Sequence, residues 1–256
     1  MESFLLQVKK LSVFYGSQQV LHEISFGMQP GETLAIVGES GSGKSTVLKA
    51  VAGLLGKGGR IEGGEILLEG REISRLPSGE RKKLSGGEIA MIFQNAGASF
   101  CPVRTVGAQI YESAREHVSW NRGEFRERAR EIMERIHLPE RVLMEYPFRL
   151  SGGMGQRAGI LAAMILSPKL LLADEPTSAL DTVTQASVVE ELMGIRERQG
   201  VSILLVTHHM GVAWAMADHV LVMKQGLAVE YGSKEQIFKS PKEAYTKDLI
   251  DSVPRI

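Results

Sequence analysis

The stretch Gly38–Thr46 constrains this 256-residue chain more than any other part of its sequence. It reads Gly-Glu-Ser-Gly-Ser-Gly-Lys-Ser-Thr and matches the phosphate-binding pattern G-x-x-x-x-G-K-[ST]. A buried strand is predicted directly before it, at Thr33–Val37, and a helix directly after it, at Ser45–Leu55. A glycine-rich turn with a chance lysine is the alternative, and this strand–loop–helix context disfavours it.

The residue types in this loop suit the binding of a triphosphate. Backbone N–H groups must turn inward around the phosphates, and glycine tolerates the dihedral angles that this requires. Lys44 can reach the β- and γ-phosphates, the Ser45 hydroxyl can ligate Mg²⁺, and the helix that follows points the positive end of its dipole at the anion. The candidate phosphate-binding residues are Gly38, Glu39, Ser40, Gly41, Ser42, Gly43, Lys44, Ser45 and Thr46.

Composition excludes several classes of function. Lys and Arg total 30 against 30 Asp and Glu, so nothing in the overall charge draws the chain to nucleic acid or to an anionic membrane. The single cysteine, Cys101, excludes an internal disulfide. We find no apolar run of the roughly 18–20 residues needed to span a bilayer, and the first residues do not resemble a signal peptide. If the protein works at a membrane, we expect it to do so through a partner.

Two predicted core strands end in polar side chains. Lys169–Ala173 is followed by Asp174 and Glu175, and a carboxylate at such a position is costly unless it meets a cation or a polar site. Asp174 suits the Mg²⁺ shell, and Glu175 suits a general base or a water-orienting group for the attack on the γ-phosphate. Gln94 follows the strand Ile89–Phe93. The alternatives are two solvated loop acids and a loop amide without a role.

The segment Leu150–Arg157 predicts a second anion site. Ser151, Gly152 and Gly153 resemble an N-cap with open backbone before a helix at Gln156–Leu166, although a flexible cap would look the same. The tetrapeptide Leu-Ser-Gly-Gly also occurs at 84–87. We interpret that earlier copy as a decoy, because no Gln-Arg pair follows it and an apolar strand begins at once.

Two further positions carry candidate functional side chains. Tyr15 ends the first strand pattern, where it could stack on adenine or simply pack half-buried. His208 follows the strand Val201–Val206, where a histidine can contact the γ-phosphate region. A transition-metal site is disfavoured, because neighbouring side chains such as those of His208 and His209 are expected to diverge.

The predicted fold class is α/β. We expect a P-loop NTPase core with a mainly parallel sheet, a small antiparallel β-subdomain and an inserted α-helical subdomain at about 95–165. The tail at about 233–256 is predicted to be short, polar and helical.

Taken in order, these motifs resemble those of the ATP-binding cassette (ABC) ATPases over nearly the whole chain. The resemblance implies ATP and Mg²⁺ as ligands, with Ser45, Gln94 and Asp174 at the metal. It implies Glu175, His208 and Gln94 as catalytic residues, Tyr15 as the adenine-stacking residue and Asp181 as part of the D-loop Ser178–Asp181. It also implies a head-to-tail dimer, in which the phosphate loop of one subunit and the Ser151 segment of the other enclose each ATP.

Within that family the chain resembles the cassettes of peptide and nickel importers. The matching segments are Ile89–Gln94, Thr105–Gly107, Tyr146-Pro147, Leu150–Arg157, Ser240-Pro241 and Ala244–Thr246. Residues 95–102 depart from the subgroup, and His209 stands where an aspartate is usual. The chain stops soon after Thr246, without a cysteine-bearing extension, so no iron–sulfur cluster is expected.

The resemblance implies an ATPase subunit that energises uptake of a small solute, either a nickel or metal chelate or a peptide. Its expected partners are two permease subunits, a second cassette and, indirectly, an extracytoplasmic solute-binding protein, with no nucleic acid. Its expected place is the cytoplasmic face of the cell membrane. An export cassette and an ABC ATPase not coupled to transport are the alternatives.

Overall fold

The structure is a computed structural model that describes residues 4–178 and 180–252. The chain divides into two compact units, of which the first combines Met1–Arg81 with Ser202–Ile256 and the second is Lys82–Val201. No helix in the described ranges is both long and apolar enough to cross a bilayer.

Both units mix strands with helices, as the predicted α/β class requires. In the described residues the strands are β1 (Leu6–Tyr15), β2 (Gln18–Met28), β3 (Thr33–Val37), β4 (Gly59–Leu68), β5 (Arg71–Glu72), β6 (Ile89–Ile92), β7 (Leu170–Asp174), β8 (Ser202–Val206), β9 (His219–Lys224) and β10 (Leu227–Ser233). The α-helices are α1 (Lys44–Ala52), α2 (Ser78–Leu84), α3 (Val106–Arg115), α4 (Arg122–Arg135), α5 (Gly152–Met164), α6 (Thr182–Gln199), α7 (Met210–Met216), α8 (Lys234–Lys239) and α9 (Ala244–Asp251). Short 3-10 helices cover Ala96–Ser99, Glu140–Met144 and Pro147–Arg149.

Parallel strands form the core of each unit. In the first unit β3 pairs in parallel with both β8 and β9, and β10 adds to β9 in antiparallel direction. In the second unit β6 and β7 are parallel. Every residue of β3, β7 and β8 is buried. Such continuous apolar runs are typical of parallel strands covered on both faces, which confirms the fold class predicted from the sequence.

The first unit also contains the predicted antiparallel sheet, with the strand order β2-β1-β4-β5. Leu6, Val8, Leu11 and Val13 of β1 are almost completely buried, while Lys9 and Lys10 between them are exposed. Register shifts interrupt β1 against both of its neighbours, at the place where Lys10 takes a positive φ of 46°.

Two helices have boundaries that differ from the predicted ones, and in both the capping residue sets the boundary. The helix α1 ends at Ala52 and not near Leu55, because Gly53 takes a left-handed φ of 73° and its N–H bonds back to the last turn. The helix α5 begins at Gly152 and not at Gln156, so the glycines expected as open backbone form the first helical turn.

The region 106–136 contains two helices separated by residues 116–121. A capping box starts the second one, since the Asn121 side chain accepts N–H groups from Gly123 and Glu124 while Glu124 accepts the Asn121 N–H. The helices α3 to α5 and the three 3-10 helices occupy 96–164 of the second unit, and the subdomain limits of about 95–165 stay a prediction.

Candidate functional site

The loop between β3 and α1 packs too closely for any side chain at two of its glycines. Gly38 and Gly43 have φ angles of 145° and 96°. A Cβ at Gly38 would lie 2.1 Å from the Met223 carbonyl oxygen, and one at Gly43 would lie 2.8 Å from Leu21 Cδ2. The loop must therefore carry glycine here, and its backbone turns tightly against β9 and β2 before the helix starts.

Lys44 is the first residue of α1, and only 4% of it is exposed. Its Nζ donates hydrogen bonds to the carbonyl oxygens of Gly38, at 2.8 Å, and Glu39, at 2.7 Å. The ammonium group is thus held inside the loop that leads into its own helix. Ser42 is also buried, and within the described residues its hydroxyl has no hydrogen-bond partner. A buried cation, a spare hydroxyl and a helix N-terminus form a donor set that fits phosphate oxygens.

The second unit brings two of the predicted catalytic residues together. Ile92 of β6 pairs with Ala173 of β7, so the two strands end side by side. Gln94 Nε2 donates to Glu175 Oε2 at 3.2 Å. Asp174, the last residue of β7, is 8% exposed, whereas Glu175 is half-buried. The amide and the two carboxylates are therefore clustered at one end of the parallel pair, as their positions after core strands predict.

Glu175 has an unusual backbone conformation, with a φ of 45°. A side chain in this left-handed region costs about 1–2 kcal/mol, and residues held there cluster at functional sites. The Glu175 carbonyl accepts hydrogen bonds from the Ser178 N–H and hydroxyl, so the turn after β7 stabilises this conformation.

Ser151 and Asp181 are both N-caps of long helices. The Ser151 hydroxyl accepts the Met154 N–H at 3.3 Å and starts α5. The Asp181 carboxylate accepts the N–H groups of Val183 and Thr184 and starts α6. Hydrogen bonds hold the pKa of Asp181 below its usual value, and the bond from the Thr184 hydroxyl has the largest effect. Ser151 and Gly152 are exposed, so the start of α5 faces solvent in this chain.

Tyr15 lies at the end of β1, where its hydroxyl donates to the Leu55 carbonyl oxygen at 2.9 Å. The ring is half-buried, and a Cβ at Gly59 would lie 2.9 Å from it. The structure thus shows the packing role that the sequence left open, and adenine stacking stays a prediction.

The two histidines after β8 contradict the expectation that their side chains diverge. The ring centroids of His208 and His209 lie 4.1 Å apart, with the planes tilted by 37°. Strand geometry no longer applies at this point, because β8 ends at Val206 and the chain bends before α7. His208 is exposed, whereas His209 is half-buried at the N-cap of α7, with its N–H bonded to Thr207 Oγ1. Within the described residues no group of three or more His, Cys, Asp or Glu is arranged to hold a metal ion.

Sequence reasoning missed one contact to the phosphate loop. The Tyr245 hydroxyl accepts the Glu39 N–H at 3.2 Å, although the two residues are 206 positions apart. Tyr245 stood out in the sequence only as part of the segment Ala244–Thr246, and nothing in that pattern points to the loop.

A glycine loop that follows a buried parallel strand and leads into a helix with a buried lysine defines a P-loop nucleotide-binding protein of the α/β class. Three comparisons with known proteins place it more closely. The ABC transporter family profile matches residues 21–178. The chain belongs to this family and is an ABC ATPase.

Relatives and a solved structure agree with this assignment. Over 262 residues the chain is 40% identical to the dipeptide transport ATP-binding protein DppD of Lactococcus lactis, covering 100% of this chain and 75% of that protein. It is 38% identical over 256 residues to the metal-staphylopine import system ATP-binding protein CntD of Staphylococcus aureus, covering 98% of this chain and 94% of that protein. Its fold is similar to that of the dimeric ATP-binding cassette MJ0796 bound to ADP and Pi, with a TM-score of 0.80 and 27% sequence identity. The match covers 90% of this chain and 98% of that chain.

Proposed function

We propose that this ATPase is the energising subunit of an importer that takes up a small solute, either a peptide or a metal chelate such as a nickel complex. The supporting observation for import is the set of relatives similar over almost the whole chain, which are named for dipeptide transport and metal-staphylopine import. The alternatives, an export cassette and an ATPase not coupled to transport, have no comparable support.

The phosphate loop supplies the binding half of this activity. Lys44 would hold the β- and γ-phosphates in place of the two backbone carbonyls that it now contacts. Backbone N–H groups from Gly38 to Thr46 would line the phosphates, and Tyr15 would lie against the adenine. Mg²⁺ bound with ATP would neutralise charge on the phosphate oxygens. The residues that would hold it are Ser45, Asp174 and Gln94.

The carboxylate cluster supplies the hydrolytic half. We assign Glu175 as the base that takes a proton from the attacking water. The observation that carries this assignment is the hydrogen bond between Gln94 and Glu175, because it fixes the orientation of a carboxylate that follows a buried strand. His208 is exposed and would contact the γ-phosphate region.

The exposed start of α5 suggests how two cassettes cooperate. Ser151, Gly152 and Gly153 would meet the ATP held by the phosphate loop of a second cassette, identical or related, and Asp181 would lie at the same boundary. Two permease subunits would hold the pair at the cytoplasmic face of the cell membrane and would receive cargo from an extracytoplasmic binding protein.

Nucleotide binding by the Lys44→Ala variant tests the site. Loss of the buried ammonium should remove most of the ATP binding and most of the phosphate release. Lys49→Ala is the matched control, because Lys49 is exposed on the same helix. Normal turnover in Lys44→Ala would disprove the site assignment.

Uptake measurements test the cargo class. Deletion of the gene should reduce uptake of a labelled dipeptide or of chelated nickel, and the wild-type gene should restore it while the Lys44→Ala gene should not. Unchanged uptake of both solutes in the deletion strain would refute the proposed importer.

A further inference from the structure

The C-terminal helix α9 is attached to the first unit through its N-terminal end. The Glu230 carboxylate on β10 accepts the N–H groups of Lys242, at 2.9 Å, and Glu243, at 3.2 Å. Thr246, in the first turn of α9, is completely buried. The position of Tyr245 between these two fixed points is therefore set by packing of the backbone, and its side chain extends from a rigid support.

From this support Tyr245 reaches the phosphate loop at Glu39. The Tyr245 hydroxyl accepts the Glu39 N–H at 3.2 Å, and the Glu39 carbonyl accepts a hydrogen bond from Lys44 Nζ at 2.7 Å. A single residue of the loop thus connects the tyrosine with the lysine that we assign to the β- and γ-phosphates.

The ring of Tyr245 also contacts Lys224, the last residue of β9. The ammonium group of Lys224 lies 4.4 Å from the ring centroid, within the range of a cation–π contact. Lys224 directly follows Met223, whose carbonyl oxygen occupies the place that a Cβ of Gly38 would need. The end of β9 therefore contacts both the start of the phosphate loop and the ring of the tyrosine.

The contact with Glu39 also affects the ionisation of the Tyr245 hydroxyl. Burial raises the pKa of Tyr245, the hydrogen bond from the Glu39 N–H lowers it, and the nearby Glu39 carboxylate raises it, with a net shift upward.

We propose that Tyr245 is a positioning residue for nucleotide binding, which fixes the Glu39 end of the phosphate loop and thereby the place where Lys44 presents its charge. The proposal rests on the proposed function and deepens it. It also gives the C-terminal segment a role in the nucleotide site, since α9 carries the tyrosine. Loss of the hydroxyl should loosen the Glu39 peptide and weaken the binding of nucleotides that have a β-phosphate.

The test compares Tyr245→Phe with Tyr231→Phe. Tyr231 is a matched control, because its hydroxyl also bonds a backbone atom, the Gly27 carbonyl oxygen at 2.8 Å, in the same unit but away from the loop. For Tyr245→Phe we expect the Kd for ATP and ADP to rise about three- to tenfold, while the Tm of the nucleotide-free protein falls no more than in Tyr231→Phe, which also loses one hydrogen bond. The Kd for AMP, which has no β-phosphate for Lys44, should change less than twofold.

Amide hydrogen exchange gives a second measurement, which shows whether the backbone loosens at the phosphate loop itself. Peptides covering Gly38–Lys44 should exchange faster in Tyr245→Phe than in the wild type, while peptides from β7 should exchange at the same rate. Lys224→Gln keeps the hydroxyl and removes the cation over the ring, so its loss of ATP affinity should be smaller than that of Tyr245→Phe.

Three results would overturn the inference. They are an ATP affinity in Tyr245→Phe equal to that of Tyr231→Phe, an equal loss for AMP and ATP, or an unchanged exchange rate at Gly38–Lys44. Lys44→Ala, measured in parallel, separates the two claims. If Lys44→Ala loses its ATP affinity and Tyr245→Phe keeps it, only the inference about Tyr245 fails. If Lys44→Ala binds ATP normally, the proposed nucleotide site itself is wrong.

Discussion

Arg157 and Glu191 form a largely buried ion pair, with 2.7 Å between Nη2 and Oε1 and side-chain exposures of 17% and 4%. Arg157 Nε also donates to both carboxylate oxygens, and Ser187 Oγ bonds to both partners. The pair joins α5 to α6, the two helices whose N-caps are Ser151 and Asp181. It therefore fixes the relative position of two segments that we assign to the boundary with a second cassette.

Replacement of one partner of this ion pair should destabilise the fold. Arg157→Met leaves the Glu191 carboxylate buried without its cation, which should lower the free energy of unfolding by about 3 kcal/mol. The double variant Arg157→Met/Glu191→Leu should recover much of that loss, because it removes both charges from the interior. Urea denaturation of the single and double variants measures this.

Glu112→Gln is the control, because Glu112 forms an exposed ion pair with Arg104. The side chains are 63% exposed for Glu112 and 45% exposed for Arg104. This variant should change the stability by less than about 1 kcal/mol. A single variant at Arg157 that is as stable as this control would show that the buried pair contributes little.

The two histidines should respond differently to substitution. His208→Ala should lose most of its ATP turnover while keeping its fold, because an exposed ring contributes little to packing. His209→Ala removes a half-buried ring at the start of α7 and should lower the Tm more than the turnover. Phosphate release and thermal melting, recorded on both variants, check this. The assignment of His208 fails if His209→Ala shows the larger loss of turnover at an unchanged Tm.

The two Leu-Ser-Gly-Gly segments offer a matched pair of substitutions. Ser151→Arg places a bulky cation at the exposed start of α5 and should stop turnover in the assembled transporter, while ATP still binds to the isolated subunit. Ser85 is also exposed but pairs with Ile89 at the start of a strand, so Ser85→Arg should be mild. Turnover and nucleotide binding are measured for both variants. A severe effect of Ser85→Arg on turnover in a folded protein would reverse our choice of segment.

Glu175→Gln should trap a closed pair of cassettes. The amide keeps the size of the side chain and loses its basicity, so ATP should bind without being hydrolysed. ATP should then shift the variant towards a dimer, alone or with a related cassette, whereas ADP should not, because ADP lacks the differential affinity for the closed state. Light scattering with Mg-ATP measures this shift, and Glu190→Gln, an exposed glutamate on α6, is the control. A monomer in every mixture, with ATP bound, would contradict the proposed cooperation of two cassettes.

Sequence patterns predicted those parts of the fold in which local chemistry decides the structure. The buried strands β3, β7 and β8 were visible as apolar runs, and the phosphate loop was visible from its glycines and lysine. The positions of Gln94 and Glu175 after core strands were also visible, and their contact across 81 residues agrees with the rule that parallel strands end at one edge.

Other features could not be predicted because tertiary packing decides them. The close approach of the His208 and His209 rings depends on a bend after β8, where the alternation of a strand no longer applies. The contact between Tyr245 and Glu39 depends on how α9 is attached to β10. The break at 116–121 is different, because Asn121 and Glu124 have the sequence spacing of a capping box.

The left-handed backbone of Glu175 sets stability against activity at one position. Glycine adopts this conformation without the penalty that a side chain incurs, so Glu175→Gly would relieve strain while deleting the carboxylate that we assign as the base. A screen that selects variants only for survival at high temperature would favour that change. Directed evolution of this ATPase for thermostability therefore needs a parallel selection for turnover, or it will enrich well-folded cassettes that bind ATP and do not release it as ADP.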